Sequence, residues 1–149
     1  MIPPLDADGN LPPGIHSVSW PELEAHCGQN PHRRRLLSGL QRAAQVLKSV
    51  GCQRIYVDGS FVTNKSVPLD FDGCWERSGV NLFSLRAADP VLLTFANRRA
   101  AQKAKYFGEL FPADSVEDRS GLTFLNFFQR DKDNGREKGI LALDLGSLS

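Results

Sequence analysis

The chain has 149 residues, 41% of them hydrophobic and 23% charged, with a formal net charge of +1 at pH 7. That length suits one domain with a core that needs no staples, and so small a net charge excludes a global field for nucleic acid or membrane. Cys27, Cys52 and Cys74 are odd in number and widely spaced, which fits reduced thiols better than a disulfide framework. No apolar run approaches the roughly 18 residues of a spanning helix, and the first residues lack a signal-peptide pattern. The expectation is a cytoplasmic protein with no membrane partner.

Residues 1–14 contain four prolines and two glycines and read as an extended arm. Ser19 and Glu22 then stand in capping-box spacing before a short helix. The expected organisation is therefore an N-terminal arm with a short helix over 1–28 and a domain over 29–149. Asn30-Pro31 opens a helix, with Asn as N-cap and Pro at the first helical position. Leu36, Leu37, Leu40, Ala43, Ala44, Leu47 and Val50 repeat at the spacing of one buried face, and Gly51 ends it.

Residues 54–58 and 69–75 read as strands, joined by a loop or short helical turn over 61–68. Asp89-Pro90 repeats the cap-then-proline signal and predicts a helix to about Phe107, with Leu92, Leu93, Phe95, Ala96 and Ala100 inward. Residues 111–120 read as a surface loop. Residues 122–129 and 139–145 read as strands of a hairpin turning at Asn134-Gly135. The sum is an α+β domain, one mixed or antiparallel sheet flanked by helices.

The chemistry concentrates where Ile55-Tyr56-Val57-Asp58 runs into Gly59-Ser60 and, nine residues on, Asp70-Phe71-Asp72 follows. Strand side chains alternate, so Asp70 and Asp72 share a face with Cα atoms roughly 6.6 Å apart, while Phe71 points to the core. Two such carboxylates can share a Mg²⁺ with substrate phosphates. Gly59 and Ser60 offer backbone N–H groups and a hydroxyl to a phosphate, and Lys65 a point charge. The plainer alternatives are a polar turn beside a strand and a solvated lysine.

The run Arg33-Arg34-Arg35, preceded by His32, places cations in a helix's first turn, against its dipole. An anionic partner would relieve that; a solvated face is the alternative. His16, His26, His32 and Cys27 match no tetrahedral zinc spacing.

Val57 to Ser60 with Asp70 to Asp72 resembles the nucleotidyltransferase superfamily, whose mark is hydrophobic-Gly-Ser, a gap, then Asp-x-Asp. Residues 9–146 also resemble a family of small bacterial and phage-borne proteins. The shared features are the Leu-Pro-Pro-Gly-Ile-His start, the Asn-Pro-His-Arg-Arg-Arg helix opening and the Phe-Phe-Gln…Lys-Gly-Ile ending. The resemblance implies a minimal nucleotidyltransferase fold, often met near toxin–antitoxin or phage-defence genes. It implies Mg²⁺, a nucleoside triphosphate such as ATP, and a protein or RNA acceptor.

A third carboxylate normally completes such a site from a neighbouring strand. Asp144 is the only acid inside a later apolar strand, where a lone carboxylate is costly unless paired or metal-bound. In the two-metal template Asp70 and Asp72 bridge Mg²⁺ to the triphosphate and Asp144 helps activate the attacking hydroxyl. An exposed strand end is the alternative for Asp144. The competing function is a non-catalytic, antitoxin-like protein that keeps the fold and neutralises a partner toxin by contact.

Overall fold

The computed structural model describes residues 2–148. Its strands are β1 (Gly14–Val18), β2 (Arg54–Asp58), β3 (Phe71–Trp75), β4 (Gly108–Pro112) and β5 (Gly139–Asp144). They form one sheet in the order β1-β5-β2-β3-β4. The outer pairs β1–β5 and β3–β4 are parallel, and β2 runs antiparallel to both β3 and β5. The helices are α1 (Trp20–Cys27), α2 (Pro31–Ser49), α3 (Leu82–Ala88), α4 (Ala96–Tyr106) and α5 (Phe124–Phe127). The class is α+β with a mixed sheet.

Alternation along the strands sorts side chains to two faces. Ile55, Val57, Phe71, Trp75, Leu110, Leu141 and Leu143 join Leu36, Leu40, Ala43 and Leu47 of α2 in the main core. The opposite face carries a smaller cluster of Cys74, Ala113, Phe128 and Ile140, bordered by Tyr56, Phe111 and Phe124. The helix starts expected at Ser19 and Asn30 form. Asn30 Oδ1 accepts from the Arg33 N–H at 2.8 Å, and Ser19 and Glu22 exchange capping-box bonds of 3.3 and 3.2 Å.

Arg33 is 2% exposed. Its guanidinium donates to the carbonyls of Cys27, Ser60, Phe61, Thr63 and Lys65 and lies 5.7 Å from the Phe61 ring centroid. The cation that the first helical turn disfavours is thus offset by carbonyl dipoles of the loop after β2. Arg35 and Arg42 lie over the Phe107 ring at 4.3 and 5.4 Å, a cation–π contact between α2 and the end of α4. Arg34 remains exposed.

Several expected elements differ. Residues 14–18 are an edge strand, and Leu11, Val18, Trp20 and Leu23 belong to the main core, so no boundary in the packing falls at residue 28. An edge strand with Ile15 46% exposed shows little alternation to read. The helix expected from 89 to 107 is broken. Residues Pro90–Leu93 form a 3₁₀ turn capped by Asp89, and Asn97, Arg98 and Arg99 turn left-handed at φ 53°, 55° and 61° before α4 continues. Its buried residues are Gln102 and Tyr106, whereas Phe95, Ala96 and Ala100 are exposed. Gln102 accepts from the Leu110 N–H at 2.8 Å, and Tyr106 donates to Asp89. Polar clamps of this kind leave no hydrophobic period.

Residues 108–112, expected as helix end and loop, are β4. The strand expected over 122–129 is instead the short α5, capped by Thr123. The Asn134-Gly135 turn does reverse the chain, bridging Arg130 to Glu137. The strand beyond it, β5, pairs with β1 and β2 rather than closing a hairpin.

Arg33→Met should destabilise the fold by roughly 3 kcal/mol, because it strands buried carbonyl acceptors. Arg33→Lys should recover little, since an ammonium cannot reproduce the planar fork. Urea unfolding midpoints of the two variants check this, and a Lys variant as stable as the parent would refute it.

Candidate functional site: an acidic rim

Because β2 is antiparallel to β3 and β5, the end of β2 meets the starts of β3, β4 and β5 at one rim of the sheet. There Asp58 pairs in register with Asp72, and Asp72 with Glu109. All three alternate onto the face of the smaller cluster, and Asp70 precedes β3 by one residue. Gly59 turns at φ +83°, and a Cβ there would lie 2.7 Å from Asp72 Oδ2. Glycine alone lets the turn pass so close to that carboxylate. Ser60 opens a 3₁₀ turn, Ser60–Val62, and its carbonyl accepts from Thr63 Oγ1 at 2.8 Å. Lys65 is exposed, and the loop carrying it is pinned by Arg33 through its carbonyl. His26 and His32 contact the carbonyls of Val62 and Pro68 on the same loop, while the His16 ring contacts that of Pro12.

The acids are unequally compensated. Asp58 is buried and ion-paired with Lys138 Nζ at 3.0 Å, yet burial still holds its carboxyl above the usual range against that cation. Glu109 is also raised by burial, but Lys103 and Arg99 more than reverse this and leave it below its ordinary value. Each approaches its Oε1 at 3.0 Å. Asp70 and Asp72 have no hydrogen-bond or ion-pair partner among the described residues. Burial pushes Asp72 up to about 7, and the negative charges of Asp70, Glu109 and Asp58 push the same way. Burial, then Glu109, raises Asp70.

Two carboxylates in contact with no cation among the described residues, near a glycine turn, are a donor set that fits Mg²⁺, which takes one or two carboxylates and keeps its remaining positions for water and phosphate. Among the described residues, no three His, Cys, Asp or Glu side chains converge as a ready metal cage. Any cation would rest on Asp70 and Asp72 unless Glu109 let go of its partners.

Asp144 is not at this rim, which corrects its expected place beside Asp70 and Asp72. It pairs in register with Arg54, four residues and so about 13 Å along β2 from Asp58. It is exposed, and its Oδ1 caps the Gly146 N–H at 2.9 Å. Alternation along a strand carries no strand direction, so the sequence leaves open which end of the sheet Asp144 reaches. Asp144 lines a cleft of about 460 Å³ with Lys48 and Arg54, and a second cleft of about 390 Å³ is bordered by Gln129, Arg130 and Lys138. Neither includes Asp70 or Asp72. Those two carboxylates, which contact no cation among the described residues, lie at the rim, outside both clefts.

Glu109 was missed. Its only sequence signal is a five-residue strand, Gly-Glu-Leu-Phe-Pro, hidden behind the expected helix and loop. No curated protein and no solved structure matches the chain. A model described as a family of unknown function (DUF6932) matches residues 3–144.

A carboxyl whose folded value is about 7, against about 3.9 unfolded, favours the native state fully below the lower value. That contribution is lost as pH rises through the interval. Asp72→Asn removes the penalty. It should raise the thermal midpoint by roughly 4–8 °C at pH 8, for about 2 kcal/mol in a domain this size, and leave it nearly unchanged at pH 4. Equal shifts at both pH values would refute the assignment.

Proposed function

The chain belongs to the DUF6932 family, and we propose that it is a nucleotidyltransferase-like protein that binds a nucleoside triphosphate with Mg²⁺ at the acidic rim. On this reading it transfers a nucleotide to a protein or RNA acceptor, in the toxin–antitoxin or phage-defence setting that the sequence resemblance suggests. The observation that carries the reading is the pair Asp70 and Asp72, uncompensated beside the Gly59-Ser60 turn.

Asp70 and Asp72 would hold the cation, which when bound neutralises phosphate charge and orients the triphosphate. Gly59 and Ser60 would present backbone N–H groups and a hydroxyl to the phosphates, and the exposed Lys65 would add a positive charge. The acceptor hydroxyl attacks the α-phosphate, pyrophosphate leaves, and the hydroxyl proton passes to a carboxylate. On this reading Glu109, which stands opposite Asp72 in register, would take that last role once released by Arg99 and Lys103.

A second reading has one observation in its favour. Glu109 is committed to two cations, so two carboxylates stand where a transfer centre uses three. A non-catalytic protein that binds nucleotide, or masks a partner toxin by contact, accords with that. Three free, buried cysteines accord with a reducing compartment, the cytoplasm. Among the described residues no helix is long and apolar enough to cross a membrane.

Titration calorimetry with ATP and with GTP should show binding in Mg²⁺ that EDTA abolishes. Asp70→Asn with Asp72→Asn should lose it, while Asp144→Asn should retain it. Binding that survives the double substitution would sink the proposal. Binding without transfer to any acceptor would favour the second reading.

A further inference from the structure

Beside the acidic rim, on the same face of the sheet, stands a column of phenylalanine rings. Phe111 and Phe124 stack nearly parallel, 4° apart with centroids at 4.0 Å. Phe95 also stacks on Phe111, at 14° and 5.8 Å. Phe128, buried below, supports Phe111 and Phe124 at 6.3 and 5.9 Å. The Arg99 guanidinium lies 5.5 Å from the Phe111 centroid while its Nη2 reaches Glu109, so it bridges the column and the acids.

The column has an open end. Phe95 is 37% exposed, unlike the buried Phe128 that a satellite core would lead one to expect throughout. It lies two residues before the left-handed turn at Asn97, Arg98 and Arg99. Phe111 follows Glu109 by two residues on the same face, about 6.6 Å along β4. A ligand with its phosphates against Asp70 and Asp72 and its distal end turned along β4 towards Phe111 would lie against the column.

We propose that Phe95, backed by Phe111 and Phe124, is the stacking shelf for the nucleobase of the bound nucleotide. The inference rests on reading the acidic rim as a triphosphate site. Aromatic side chains stack on any base because every base has a π face. Phenyl rings carry no hydrogen-bonding group to read a base edge, so the shelf takes all four bases. It holds purines somewhat more tightly, since they offer the larger face.

The test compares Mg²⁺-ATP, Mg²⁺-CTP and Mg²⁺-tripolyphosphate by titration calorimetry on the whole chain. Tripolyphosphate carries the charge without the base. ATP should bind at least about tenfold more tightly than tripolyphosphate, with CTP between them; base–aromatic stacking is of this size. Phe95→Ala should weaken ATP about tenfold and leave tripolyphosphate unchanged. Phe95→Leu, which keeps apolar bulk without the π face, should behave like the Ala variant, whereas Phe95→Trp should retain or tighten ATP. If ATP and tripolyphosphate bind equally, or Phe95→Ala weakens both alike, the shelf is wrong while the triphosphate site stands. If neither ligand binds, the triphosphate site itself is wrong and the shelf falls with it.

Discussion

One buried guanidinium holds together the part of the molecule on which the site depends. Arg33 reaches from the first turn of α2 into the loop after β2 and gathers carbonyls from Cys27, Ser60, Phe61, Thr63 and Lys65. A buried cation is tolerated only when its donors are satisfied, and buried backbone only when its carbonyls are. Each requirement meets the other here. With the loop pinned, Gly59 passes within contact of Asp72, and the turn and the carboxylate become one site.

The rim is arranged for charge more than for stability. Asp58 has Lys138, and Glu109 has Arg99 and Lys103; Asp70 and Asp72 have no such partner among the described residues. A neutral or cation-bound state of Asp72 is more comfortable than a bare carboxylate, which is why burial and neighbouring acids raise it. Structural sites rarely leave such a group unpaired. Perturbed carboxyls in this setting more often mark binding or chemistry.

Much of this was legible along the chain. The caps at Ser19 and Asn30, the buried face of α2, strands β2 and β3, and the Gly59-Ser60 turn with Asp70 and Asp72 all follow from local pattern. The failures share a cause. β1, β4 and the break before α4 carry no hydrophobic period of their own, because an edge position, a five-residue length or a polar clamp such as Gln102 replaces it. Arg33 looked like a surface cation since its partners are carbonyls some thirty residues away, and a carbonyl has no sequence identity.

Sequence by itself determined that Asp70 and Asp72 share a face, since a strand's period of two puts them together whatever the fold. It determined the glycine too, because a turn at positive φ favours that residue. Only the tertiary structure decided which acid stands beside them. Strand order and direction are set by long-range pairing, and antiparallel pairing of β2 with β5 sends Asp144 to the far end of the sheet. Parallel pairing of β3 with β4 brings Glu109 to Asp72 instead. Alternation fixes a face; hydrogen bonding between distant strands fixes an end.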